Sequence, residues 1–316
     1  MESNNSTIDT YHIGIETGGT SCKVGIMKNI GVDNLIHTHH VNTRVPSETM
    51  QDIMDYINSF DYTYSSVGIA AFGPIGLNQT SADYGYVTST PKVEWQNFNL
   101  LETVLSGINK KTEDFVHTFD TDVNLVAKFE ADFGGHHDAH GNVVYITVGT
   151  GIGIGVVLNN QMLHGLVHPE GGHQKVPIHP DDIDYPGVCV FHGNCLEGLC
   201  TNVSIAKRKG LDDVELNKDI PNEDPIWDLV GYYLGIACSN IIFTMSAQKI
   251  VIGGGVMNRE ILYDKIRHHC FKSLNGYIKH PKLESEEALK KFIVKSKFEN
   301  NLGLIAAAMV GSNNPN

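Results

Sequence analysis

The feature that most constrains this chain is a unit that occurs twice: a short apolar strand, a glycine turn, and an apolar strand returning. The first copy is Tyr11-His-Ile-Gly-Ile15, the turn Glu16-Thr-Gly-Gly-Thr20, and Cys22-Lys-Val-Gly-Ile26. The second is Val143-Val-Tyr-Ile-Thr-Val148, Gly149-Thr-Gly-Ile-Gly153, and Ile154-Gly-Val-Val-Leu158. Short apolar runs bounded by glycine read as buried strands joined by tight hairpins, and their recurrence is an internal repeat. Further strands are predicted at 66–71, 115–119 and 249–252. Helical spacing predicts helices at 47–60 with Ser47 as N-cap, at 122–133, at 225–246 and at 301–310. The alternation is that of an α/β protein, and 316 residues allow one large domain or two lobes.

Composition narrows the function. A net charge of −13 opposes a nucleic-acid surface, yet suits a nucleotide enzyme that grips phosphate with backbone N–H groups. Residues 1–10 are polar and predicted to be a disordered tail, with no basic or apolar leader signature. No apolar run reads as membrane-spanning. Six cysteines without such a leader read as reduced thiols in the cytoplasm. Cys22, Cys200, Cys238 and Cys270 have no ligand-like spacing and are expected in the core. His136, among others, is expected to be solvated.

Three motifs carry chemistry. The glycine turns are not a dinucleotide fingerprint, because Gly149-x-Gly151-x-Gly153 opens a strand and not a helix. No GK[ST] lysine follows either turn. Backbone N–H groups of two hairpins can nevertheless converge on one polyphosphate. Gly253-Gly-Gly255, after a strand, offers another bare stretch of backbone. Asp122, in Phe119-Asp120-Thr121-Asp122-Val-Asn124, lies at the carboxyl end of a strand, where open α/β sheets place their sites. It is either a helix cap, a role equally open to Asp120, or a general base for phosphoryl transfer. His173, Cys189, His192 and Cys195 form an N2S2 set, three of them in a C-x2-H-x2-C knuckle, which suits tetrahedral zinc. Four protein ligands leave no open position, so the zinc is expected to be structural.

Taken in order, Ile15-Glu-Thr-Gly-Gly-Thr20, Thr121-Asp-Val-Asn124, Thr147-Val-Gly-Thr-Gly-Ile-Gly153, His168-Pro-Glu-Gly-Gly-His173, Cys189-x2-His192-x2-Cys195-Leu-Glu197 and Ile252-Gly-Gly-Gly-Val256 resemble the ROK family of sugar kinases. Phe72-Gly-Pro74 and Tyr84-Gly-Tyr-Val-Thr-Ser-Thr-Pro91, with Trp95 and Asn97, are similar to its fructokinases. The resemblance runs from about Tyr11 to Gly311. It implies a two-lobed actin/hexokinase-like fold, each lobe a ribonuclease-H-like mixed sheet with flanking helices, and a cleft between. The small lobe would hold 11–121 plus 301–311. The large lobe would hold 122–300, with a zinc loop at 168–200.

The same resemblance implies ATP-dependent transfer of the γ-phosphate to a sugar 6-hydroxyl, with Asp122 as base. Glu170, His173 and Glu197 would bind the sugar, joined by Thr121 and Asn97. Gly18, Gly19, Thr20, Gly149, Thr150 and Gly151 would line the phosphates, with Glu16 reaching a Mg²⁺ water, and Gly254 and Gly255 would face adenosine. A homodimer is implied as well. The chain departs from many members in having Glu16 for Asp, Ser21 for Lys, and His192 as the middle knuckle ligand. Kinases of glucose, mannose and N-acetylmannosamine share the Glu170/His173/Glu197 pattern. His192 and the 91–95 loop favour fructose. A sugar-responsive repressor of the same family would carry an N-terminal helix-turn-helix, for which ten polar residues leave no room. A sugar-binding protein without chemistry would have no need of an intact Asp122 and two phosphate hairpins.

Overall fold

The computed structural model of the protein describes residues 9–90, 92–298 and 301–313. Most of the polar tail expected at 1–10 falls outside them. Asp9 and Thr10 do not behave as tail, since Asp9 pairs with Lys28 and Thr10 N–H donates to Asn29 Oδ1. The chain forms two compact units. The first takes residues up to Phe129, His164–His168, and the stretch from Phe298; the second takes Glu130–Leu163 and Pro169–Lys297.

The first unit is built on five strands: β1 (Tyr11–Glu16), β2 (Ser21–Lys28), β3 (Leu35–Asn42), β4 (Tyr64–Ala71) and, after the two-residue strands β5 (Tyr86–Val87) and β6 (Phe98–Asn99), β7 (Lys111–Thr121). Their order is β3-β2-β1-β4-β7. The β1-β2-β3 meander is antiparallel and β1-β4-β7 is parallel. One face carries helix α1 (Pro46–Asn58), whose Met50, Ile53, Met54 and Ile57 are buried at helical spacing. This helix starts at Pro46, and Val45 makes no side-chain cap, so the expected Ser47 cap is absent. Proline at the first position needs no cap bond because it has no N–H to satisfy. Helix α2 (Leu100–Gly107) follows β6, capped by Asn99.

The closing helix of this unit lies directly on backbone. Gly14, Gly25 and Gly68 stand side by side on β1, β2 and β4. A Cβ on Gly68 would come within 1.9 Å of Ala307 O, and one on Gly14 within 2.4 Å of Leu304 O. Small residues on both sides thus let the helix approach the sheet closely.

Helix α3 (Asp122–Phe133) carries the chain from one unit to the next. The sequence placed the boundary at Asp122, whereas the packing places it between Phe129 and Glu130. Phe129 packs edge-on against Phe298 at 4.9 Å. Glu130, fully buried, accepts from Ser296 Oγ at 2.5 Å and bonds His136 at 3.1 Å. His136 is therefore buried, contrary to the solvated position expected for it.

The second unit repeats the first. Strands β8 (Val143–Val148), β9 (Ile152–Leu158), β10 (Gln161–Met162), β11 (Lys249–Gly253) and β12 (Ile293–Lys295) lie in the order β10-β9-β8-β11-β12. Again an antiparallel meander adjoins a parallel trio. The repeat read in the sequence is thus a repeat of sheet topology. Two short helices, α4 (Leu196–Cys200) and α5 (Asn202–Arg208), precede α6 (Ile226–Met245), α7 (Ile261–Leu274) and α8 (Glu286–Phe292); α9 (Leu302–Asn313) is the helix lying on the first sheet.

Helix α6, at 20 residues, is long and apolar enough to cross a membrane, which the sequence reading did not allow for. Two-thirds of it is buried within the protein, where it forms the central core helix of the second unit. The four non-ligand cysteines are all buried. Burial pushes the thiols of Cys200 and Cys238 well up and that of Cys270 up to about 12, so they act as small apolar residues.

Candidate functional site

In the first unit two features face function. The β1–β2 turn leaves Gly19 and Thr20 exposed. It is pinned from beneath by Thr43, whose hydroxyl donates to Gly18 O at 2.7 Å and whose N–H donates to Thr20 O at 3.0 Å. Glu16 accepts from Lys23 Nζ at 3.1 Å and lies against Gly303 in the first turn of α9. The end of the Lys92 side chain lies over Gly19, with Cε 3.8 Å from where a Cβ would stand. The sequence reading missed Lys92, because a lone lysine in a loop has no periodic signal.

The second feature is the β7–α3 corner. Thr121 Oγ1 accepts Asn124 N–H at 3.1 Å, so threonine is the cap, and neither aspartate fills that role. Asp122 is half-buried at the first helical position, with Oδ1 accepting Val123 N–H at 2.9 Å. Asp120 is 1% exposed and works from below, accepting Thr121 N–H at 2.7 Å and Asn124 Nδ2 at 2.9 Å. Asn97, proposed from sequence as a sugar contact, is exposed with φ 58°, a left-handed turn position. Nearby Trp95 is core, 1% exposed, donating Nε1–H to Arg44 O. Pro91, in the same loop, lies outside the described residues.

In the second unit the two glycine turns meet, because β8 pairs in parallel with β11. A Cβ on Gly149 would stand 4.0 Å from Gly255 N. Gly254 has φ +93°, and a Cβ there would meet Val148 backbone at 2.5 Å. Gly254→Ala is therefore expected to lower stability by about 1–3 kcal/mol and to raise the KM for ATP; thermal melting and nucleotide kinetics check it. Asn202 N–H closes the Gly149 turn by donating to Gly149 O at 3.0 Å.

Beside these turns lies a cavity of about 730 Å³, walled by Asn202, Asn217, Trp227, Gly255, Arg259 and Ile261 among others. That volume is in the range of small-molecule sites. Arg259 stacks on the Trp227 ring at 4.1 Å. Asn202 Oδ1 and Asn217 Oδ1 are buried in this region without a donor, an imbalance of the kind a donor-bearing ligand relieves.

The four metal-ligand candidates come together in the same unit, with all ligand atoms within 4.8 Å of one another. Cys189 Sγ lies 3.7 Å from Nδ1 of both His173 and His192, and Cys195 Sγ 3.7 Å from His173 Nδ1. Zinc at about 2.3 Å from sulfur and about 2.0–2.1 Å from nitrogen, in a tetrahedron, needs S···N edges of about 3.6 Å. The quartet fits that ion. The knuckle is itself a hydrogen-bonded turn, Cys189 and Gly193 exchanging backbone bonds, and Lys175 Nζ donates to His192 O at 2.7 Å.

Glu197 follows in α4. Its Oε2 accepts Ile152 N–H at 3.1 Å, and its Oε1 lies 3.9 Å from His173 Nδ1. This carboxylate thus links the metal cluster to the strand that leaves the second glycine hairpin. Glu170 is exposed at the start of the turn bearing His173.

The ROK family model matches residues 12–313. The chain is 37% identical to the fructokinase of Lactococcus lactis subsp. cremoris, over 87% of this chain and 89% of that one. It is 35% identical to the fructokinase of Pediococcus pentosaceus, over 94% and 96%. In structure it is similar to the ROK hexokinase of Thermus thermophilus, with a TM-score of 0.69 over 96% of this chain and 98% of that one at 18% identity. Matched by the family model over residues 12–313, a range that takes in both sheets, the glycine turns and the metal-ligand quartet, this chain belongs to the ROK family.

Proposed function

We propose that the protein is an ATP-dependent hexose 6-kinase whose substrate is D-fructose. The observation that supports this reading is Glu197, whose carboxylate stands between the metal-ligand quartet and the second glycine hairpin, where a polyol-binding group would lie beside backbone suited to phosphate. The fructokinases at 35–37% identity support the choice of sugar. Asp122 takes the proton of the sugar 6-hydroxyl as that oxygen attacks the γ-phosphorus and ADP leaves. Glu170, His173 and Glu197, with Thr121 and Asn97, serve the sugar. The Gly18–Gly19–Thr20 and Gly149–Thr150–Gly151 turns serve the phosphates, and Lys92 adds a cation to the first. Gly254, Gly255 and the adjoining cavity take adenosine.

Glu16 would help hold a Mg²⁺, which when bound would neutralise charge on the phosphates. Zinc, held by His173, Cys189, His192 and Cys195, is structural. A cytoplasmic homodimer is the setting the family implies.

A panel of sugars in a coupled ADP-release assay tests the reading. Fructose is expected to exceed glucose, mannose and N-acetylmannosamine at least about tenfold in kcat/KM, a margin of ~1.4 kcal/mol, with fructose 6-phosphate as product. A preference for another hexose would overturn the substrate and leave the kinase standing; no turnover with any sugar would overturn both.

A further inference from the structure

Asp120 is held at three points. Two of its donors, Thr121 N–H and Asn124 Nδ2, flank Asp122 and share Oδ1. The third is His164, whose Nε2 bonds Oδ2 at 2.7 Å from 44 residues away. A carboxylate turns as a rigid plane, so the partner on one oxygen decides where the other lies. On Oδ2 the His164 ring supplies that hold.

His164 belongs to a short segment, His164–His168, that packs with the first unit although the residues on either side of it belong to the second. Both ends of the segment are anchored by imidazoles. His168, buried, accepts Ile75 N–H through Nε2 at 3.2 Å. The His164 side chain is 40% exposed, so it fills no core space. The Asp120 carboxylate raises the His164 pKa above its ordinary value, against the opposing pull of burial. That is the mark of a charge-assisted bond.

We infer that His164 is a positioning residue for phosphoryl transfer. By holding Oδ2 of Asp120 it fixes the Asp120–Thr121–Asn124 corner from which Asp122 projects. The inference rests on the reading of Asp122 as base. It assigns His164 no contact with substrate and no proton transfer. Its effect is geometric, and displacement of a catalytic group by about 1 Å can cost about a hundredfold in rate.

The test uses the full chain with His164→Ala, His164→Gln and Asp122→Asn, each normalised to its folded fraction by thermal melting. His164→Ala is expected to lower kcat ten- to hundredfold with the KM for fructose and for ATP within about twofold of wild type. His164→Gln, whose carboxamide N–H can donate to the same carboxylate oxygen, is expected to recover most of that loss. A purely structural role would lower the melting temperature and leave kcat per folded molecule unmoved. If His164→Ala loses less than about tenfold in kcat while Asp122→Asn is inactive, the positioning role is wrong. It is equally wrong if the Gln variant is no faster than the Ala variant. Near wild-type turnover by Asp122→Asn would remove the base, and this inference with it.

Discussion

Asp122→Asn is expected to bind fructose and ATP with KM values near those of wild type and to lose about 10²–10⁴ in kcat, the usual worth of a positioned general base. The substitution should leave the fold untouched. Asparagine has the same shape, and its amide oxygen can still accept the Val123 N–H that Oδ1 accepts at 2.9 Å. The helix keeps its start, because the cap is the Thr121 hydroxyl and the support beneath is Asp120. What goes is the lone pair strong enough to take the sugar hydroxyl proton. Steady-state kinetics with both substrates varied, together with a melting curve, would show this. Retention of near wild-type turnover would end the assignment of Asp122 as base.

Emptying the proposed zinc site has the second large expected effect, and it falls unequally on the two substrates. Chelation, or Cys195→Ser, is expected to raise the KM for fructose at least about tenfold, the scale on which partners of a metal site act, and to change the KM for ATP far less. The reason lies in what else holds the loop. Its middle is tied independently of metal: Asp182 pairs with Arg208 at 2.7 Å, both nearly buried, and Tyr233 donates to the same carboxylate. The four ligand atoms draw together the stretch that carries Glu170 and the one that leads into Glu197, which otherwise share the backbone bond from Leu196 N–H to Gln174 O, so a bound ion would tighten them further. The side proposed for adenosine is framed by β8, β11 and α5, none of which contributes a residue to the quartet. Metal content and melting temperature should fall together with sugar affinity. Equal rises in both KM values would count against a role confined to the sugar side.

Much of this was legible because it is local in sequence. Each glycine hairpin is complete within about twenty residues, and the knuckle puts three ligands within one short turn. The N2S2 spacing needed no fold to be read. Asp122 was legible as either base or cap, and only the structure shows that Thr121 has the cap. What stayed hidden depends on partners brought from afar. His136 looked like one more polar-loop histidine, and became buried because Glu130 and Ser296 meet beneath it. His164 carried no motif, and its meaning comes from a bond to a strand end 44 residues earlier. Helix α6 is legible only as helical spacing over 225–246, whereas its apolar residues run nearly all round because neighbours cover most of it. The cap of α1 lies at Val45 and not at Ser47, two residues earlier than the sequence suggests, since proline at the first helical position replaces a capping side chain.

The contact of α9 with the glycine row on β1, β2 and β4 has a consequence for biosynthesis. The three strands are all made by Ala71, and the helix that covers them begins only at Leu302. As the chain emerges from the ribosome, that face of the first sheet must wait uncovered while the second unit, Glu130–Leu163 and Pro169–Lys297, is added, at about 5–20 residues per second. The second unit is complete at Lys297, so all of it precedes α9 along the chain. Ribosome-bound chains that stop just before Leu302, followed by a flexible linker long enough to clear the exit tunnel, should therefore show the second unit resistant to protease and the first still open to it.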